Sequence, residues 1–277
     1  MKNNAVKFNG IRTIGSALMI IILFSSCNKE EFDPLLTHEF AIQSTANGAV
    51  YKIRVGLPAN YNPGVEKYSS IYVLDGEENF AFVSNQCKEI SDKLAVRNVV
   101  VISIGYGKDR SIDYTPTEVS TVTGGGPQFL SFIESQLIPL IEENVSVDTA
   151  RKSRVILGHS YGGLFGAFAF STENTLFGNY LLLSPSLWFD DLISFQFEKH
   201  HRSENKDRTQ LVFLGIGEEE NFGRMQAPFD AFYQILHSQY SQLKLEINME
   251  KNLGHLGSKN PNIIKGLNYY FQNRQSR

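Results

Sequence analysis

The chain has 277 residues, 42% of them hydrophobic, with 20 Phe and 12 Tyr, which is ample for a sizeable core and suits one α/β domain. Its 26 basic and 29 acidic residues leave a net charge of −3. That near-balance gives no electrostatic footprint for nucleic acid, which is excluded as a partner class.

Residues 1–27 read as an export signal outside the fold. Lys2, Lys7 and Arg12 give a positive start, residues 14–24 are apolar, and Ser25-Ser26-Cys27 follows. The apolar stretch is short for a transmembrane helix. A cysteine directly after small residues resembles the lipobox of bacterial lipoproteins, although Phe24 stands where leucine is usual. The resemblance implies that Cys27 is lipidated and becomes the first residue; the alternative is a plain cleaved signal or a membrane anchor. Residues 28–37 read as a tether and residues 38–277 as a single domain. The expected location is the bacterial cell envelope, on its periplasmic or surface side, with the membrane reached through the N-terminal lipid. Cys87 is the other of two cysteines. With Cys27 lipidated it has no disulfide partner, and its helical surroundings mark it as a buried structural thiol.

Residues 40–43 and 49–57 alternate apolar and polar around Asn47-Gly48, a hairpin signal. Apolar runs follow at 70–74, 99–104, 154–157, 180–183, 211–216 and 245–249. Several are β-branched and apolar on both faces, as buried strands of a parallel sheet are. Helical spacing connects Phe129, Phe132, Ile133, Leu137, Leu140 and Ile141. It recurs through Phe229, Phe232, Tyr233, Leu236 and Tyr240, and again through Ile263, Ile264, Leu267, Tyr270 and Phe271. These stripes are core faces. The pattern predicts an α/β fold, a mostly parallel sheet with an antiparallel start and helices on both faces. The polar run 200–208 reads as a solvated loop, and His200-His201 within it as no dedicated metal site. Gly124-Gly125-Gly126-Pro127 lacks a following Lys-Ser/Thr and reads as the lead into a helix, not as a phosphate loop.

Gly158-His159-Ser160-Tyr161-Gly162 joins a strand-like run to the helix-like 164–170. As a pentapeptide it can be a mere tight turn; in strand–turn–helix context it is the nucleophile elbow, with Ser160 as nucleophile. A serine hydroxyl needs a base, and the base an orienting acid. His38 lies upstream, His159 should point away from Ser160, His200 and His201 precede the acid strand, and His237 is inside a helix. His255, set among glycines after the last strand, is the remaining candidate base. The acid should follow the run 211–216, where Glu218-Glu219-Glu220 stand together. Spacing points to Glu220, with Glu218 as the alternative, or a Ser160–His255 dyad if all three are solvated. The oxyanion donors expected are the Tyr161 N–H and that of Gly76 or Glu77. This chemistry calls for no metal and no cofactor.

Val73-Leu74-Asp75-Gly76, Gly105-Tyr106-Gly107-Lys108-Asp109-Arg110, Asp113-Tyr114-Thr115-Pro116, the serine elbow and Leu183-Ser184-Pro185-Ser186-Leu187-Trp188 occur in one order. In these motifs residues 38–272 resemble the enterochelin-esterase-like family, siderophore hydrolase branch, of the α/β-hydrolase superfamily. The resemblance implies the α/β-hydrolase fold and serine-ester hydrolysis of a small-molecule ester through an acyl-enzyme, with Ser160, His255 and Glu220 as triad. It further implies that Arg110 faces the site as a cation for an anionic catecholate or carboxylate; an ion pair with Asp109 or Asp113 is the alternative. Trp188 and Phe189 are either an aromatic wall or core. Tyr161 replaces the leucine common after the nucleophile, which reshapes the pocket. Siderophore-type esters are the first substrate class and acyl or feruloyl polysaccharide esters the second. A surface binding lipoprotein with the same fold is the non-catalytic alternative, against which the intact serine and histidine argue.

Overall fold

Strands with apolar residues on both faces need cover on both sides, and the chain meets that need with one eight-stranded sheet. The structure, a computed structural model, describes residues 30–64 and 66–274. The signal segment 1–27 with Cys27, and the first two residues of the tether, lie outside the described residues.

The strands are β1 (Thr37–Gln43), β2 (Val50–Gly56), β3 (Ser70–Val73), β4 (Val100–Ile104), β5 (Arg154–His159), β6 (Asn179–Leu183), β7 (Gln210–Gly217) and β8 (Leu243–Glu250). Their order is β1-β2-β4-β3-β5-β6-β7-β8. β1 and β2 form the antiparallel hairpin, β2 joins β4 antiparallel, and the remaining pairs are parallel. Successive residues take opposite faces. Ile71, Val73, Val155 and Leu157 enter the core under α1 (Gly76–Leu94) and α8 (Lys259–Asn273). Tyr72 and Ile156 enter the opposite core. That face is covered by α3 (Gly126–Phe132), α4 (Ile138–Asn144), α5 (Tyr161–Thr172), α6 (Phe189–Asn205) and α7 (Ala227–Gln239). The short α2 (Arg110–Tyr114) sits at the strand ends. Among the described residues no helix is long and apolar enough to cross a membrane.

Three expectations change. The stripe 129–141 is not one helix: the chain widens into a π-helical turn at Ile133–Leu137 between α3 and α4. Pro139 lacks the N–H that a regular helix would present to the Ser135 carbonyl, and the wider turn accommodates the gap. A similar turn, Phe222–Gln226, precedes Pro228. The run 200–208 is not a loop up to its end, because His200 through Asn205 complete α6. Arg202 pairs with Glu198 one turn back at 2.7 Å, and buried Asn205 donates to the Ser171 carbonyl at 2.7 Å, which carries the helix through its polar residues. The described part of the tether lies on the domain, with Phe32 edge-on to Phe80 at 5.8 Å.

β3 is bonded to β4 on one side and β5 on the other, so chain order reverses there. In open α/β sheets a crevice forms outside the carboxyl ends of strands at such a point. β5 ends in it with a sharp turn. Ser160 has φ +60° and ψ −117°, a region that L-residues avoid. A Cβ at Gly158 would overlap the Gly162 carbonyl, and one at Gly163 would stand 2.9 Å from Pro185 Cα. At Gly162 the nearest atom would be Asp75 Oδ2 at 3.4 Å, ordinary contact. Gly158→Ala should therefore cost about 3 kcal/mol or more in urea unfolding, and Gly162→Ala less than about 1 kcal/mol. Equal midpoints for the two variants would refute this account of the turn.

Candidate active site

The turn sets Ser160 at the N-terminus of α5 with its side chain in the crevice. Oγ lies 3.4 Å from Ser186 Oγ, on the segment that continues β6. His255 sits on the loop between β8 and α8. Ser160 and His255 line the same two adjoining cavities, of about 390 and 280 Å³. His255 Nδ1 is 2.7 Å from Glu220 Oε2. A carboxylate only accepts, so Nδ1 carries the proton and Nε2 is left as the basic nitrogen.

Of the three adjacent glutamates, Glu220 alone is buried. Its Oε1 accepts from the Gly217 N–H (2.8 Å), Ser184 Oγ (2.6 Å) and Ser258 Oγ (3.3 Å). Burial pushes its carboxyl up, but the bonds from His255, Ser184 and Gly217 outweigh burial and hold it below its ordinary value. Glu218 is exposed, and its Oε2 accepts from the Asn252 N–H at 2.9 Å, away from His255.

Gly76 and Glu77 open α1, where the first N–H groups have no acceptor within the helix. Gly76 packs on β4 so closely that a Cβ would stand 2.7 Å from the Ile104 nitrogen. Tyr161 opens α5 in the same way. Its ring lies 6.2 Å from that of Trp188 and 5.9 Å from that of Phe189. Phe189 is core; Trp188 is half-buried and lines the Ser160 cavity.

Arg110 lines both cavities, but its ion-pair partner is neither Asp109 nor Asp113. Nε reaches Asp75 Oδ1 at 2.6 Å, and Nη2 donates to Asp75 Oδ2 at 3.2 Å and to the His159 carbonyl at 2.8 Å. Asp109 caps α2 through the Ser111 N–H, and Asp113 accepts from Tyr51 Oη. His159, expected to point away from Ser160, lines the smaller cavity with Ser160 and places its ring 4.6 Å from that of His255.

Sequence reasoning missed Arg224, whose guanidinium lies 3.6 Å over the Trp188 ring and lines the Ser160 cavity. No motif carried that signal. It also gave no role to Ser184, Ser186 and Ser258. The first two stood in view in the segment after the β6 run.

The Esterase family model, described as "Putative esterase", matches residues 44–258. The chain is 32% identical over 171 residues to the uncharacterised protein YbbA of Bacillus subtilis, covering 59% of this chain and 66% of that protein. It is 29% identical over 206 residues to the ferri-bacillibactin esterase BesA of the same organism, covering 66% and 70%. The crystal structure of the BES protein from Bacillus cereus superposes with a TM-score of 0.75 at 25% identity, covering 96% of this chain and 98% of that one. The chain spans between half and seven tenths of the length of the curated relatives it matches.

The bonds that lower the Glu220 carboxyl stabilise the fold above its ordinary value of 4.5, and that contribution is lost as pH falls through the lowered value. The melting temperature of Glu220→Gln should lie below that of the parent at neutral pH, and the gap should close as pH falls through the lowered value. A gap that is constant with pH would contradict this assignment of charge.

Proposed function

This chain belongs to the Esterase family, and we propose that it is a serine carboxylic-ester hydrolase working through an acyl-enzyme, with siderophore-type esters as its substrates. The observation that carries the reading is one constellation. A serine on a strained elbow shares a cavity with a histidine whose Nδ1 is held at 2.7 Å by a buried glutamate.

Ser160 Oγ attacks the ester carbonyl carbon, and its proton passes to His255 Nε2. The carbonyl oxygen becomes an oxyanion facing the N–H of Tyr161 and that of Gly76 or Glu77, each donor supporting about 10²–10³ in rate. The intermediate collapses, the C–O bond to the alcohol breaks, and the leaving oxygen takes the proton from His255. Water then loses a proton to His255 and attacks the acyl carbon; the bond from that carbon to Ser160 Oγ breaks, Oγ takes the proton back from His255, and the acid is released. Glu220 holds the productive tautomer and balances the imidazolium.

The substrate class is supported by the wall of the cavity and by the name of BesA, a ferri-bacillibactin esterase. Trp188 and Tyr161 offer aromatic faces, and Arg224 stacks on Trp188. An aromatic acyl group carrying negative charge, such as a catecholate, meets both a ring and a cation there.

Ser160→Ala should lower p-nitrophenyl acetate turnover by about four orders of magnitude. Glu220→Gln should lower kcat by about 10²-fold or more and Glu218→Gln by less than about threefold. A catecholate–serine ester should exceed a feruloyl sugar in kcat/KM. Wild-type rates in Ser160→Ala would sink the enzyme reading, and a preference for the sugar would overturn the substrate class.

We also propose that the protein is exported and anchored through lipid on Cys27, a reading supported by the sequence of residues 1–27. Cys27→Ala should shift the protein from the membrane pellet to the soluble fraction. An unchanged distribution would exclude the lipid anchor.

A further inference from the structure

The ring of His159 turns beneath the loop that carries His255. Its Nε2 lies 3.0 Å from the His255 carbonyl oxygen, and the two imidazoles stand 4.6 Å apart. A carbonyl only accepts, so Nε2 of His159 bears the proton. The backbone carbonyl of the same residue accepts from Arg110 Nη2, whose Nε holds Asp75. Asp75 immediately precedes Gly76 and Glu77. One residue thus joins the end of β5 to the segment after β3 and, through its ring, to the loop after β8.

The environment keeps that ring neutral. His159 is 5% exposed, and burial, with His255, Lys259 and Arg110 nearby, lowers its pKa to about 3. The groups around the cavity are His255 from the β8–α8 loop, Lys259 from α8, Arg110 from α2, Asp75 from the β3 end and Glu78 from α1. A second cation 4.6 Å from His255 would oppose the imidazolium that forms during the reaction.

We propose that His159 is a positioning residue of the hydrolysis: its Nε2–H holds the backbone of the His255 loop while Glu220 holds the ring. This rests on Ser160 and His255 acting as proposed above. Two anchors on one residue, at Nδ1 and at the carbonyl, fix the direction of the remaining Nε2. Through Arg110 they fix it relative to the segment that presents the oxyanion donors. A catalytic group displaced by about 1 Å loses about 10² in rate.

The test compares His159→Gln, which retains an N–H donor, with His159→Met, which has similar reach and none. Gln should keep kcat within about threefold, and Met should lower it about 30-fold with KM within about twofold. Equal rates for the two variants, at either level, would overturn the proposal. Should the Met variant not fold, ¹⁵N resonances of the wild-type imidazoles decide. His159 should remain neutral and protonated at Nε2 between about pH 5 and 8. Titration in that range, or a proton on Nδ1, would overturn it. Wild-type protein without ester turnover sinks the esterase reading instead, and leaves the imidazole spectrum to report on the bond.

Discussion

The turn between β5 and α5 leaves no volume for a side chain at residue 158, and the site is arranged around that constraint. With Gly158 against the Gly162 carbonyl, the backbone can reverse within one residue, and Ser160 bears the strain. The turn is held by the neighbouring strand. The Ser160 N–H donates to the Leu183 carbonyl at 2.9 Å, and the Ser186 N–H donates to the Ser160 carbonyl at 3.1 Å. The segment that stabilises the elbow also delivers Ser184 to Glu220 and Ser186 to Ser160. A strained conformation persists only where its surroundings over-determine it, and here the end of β6 does so.

The glutamate that meets His255 is selected by folding rather than by residue type. Glu218, Glu219 and Glu220 are chemically identical, yet a tight turn brings the Glu220 N–H to the Gly217 carbonyl and its carboxylate back to the Gly217 N–H. A buried carboxylate is costly unless its lone pairs are filled. Four donors fill them, and one is the His255 ring itself. Glu218 and Glu219 remain in solvent, where a hydrogen bond to His255 would compete with water.

The strands were legible because burial on both faces writes a run of apolar residues that few other elements share. All eight lie where the runs predict, with ends shifted by one or two residues apart from the earlier start of β1 at Thr37. Ser160 and His255 were legible from glycines and chain order. The choice among the glutamates was open because spacing does not say which way a side chain folds at a turn. The continuation of α6 was hidden because its support is tertiary: Tyr240 Oη and Arg202 both bond buried Glu198. Arg110 was placed at the site, but Asp75 as its partner lies 35 positions away and is brought near only by the β3 and β4 ends. Nothing local marks Arg224, which reaches Trp188 from a π-helical turn.

Those two arginines divide the positive charge of the larger cavity. Arg110 faces the cavity, but its guanidinium is engaged by the carboxylate of Asp75 and the carbonyl of His159, so its charge is largely balanced within the protein. A substrate anion would have to displace Asp75 and strand a carboxylate that is 4% exposed, an unfavourable exchange. Arg224 is exposed, and among the described residues it has no ion-pair partner. Its contact with the Trp188 face leaves the guanidinium edge free to donate. Arg110 therefore both lines the cavity and ties the segment after β3 to the elbow. The guanidinium left free at the cavity is the one that no motif announced.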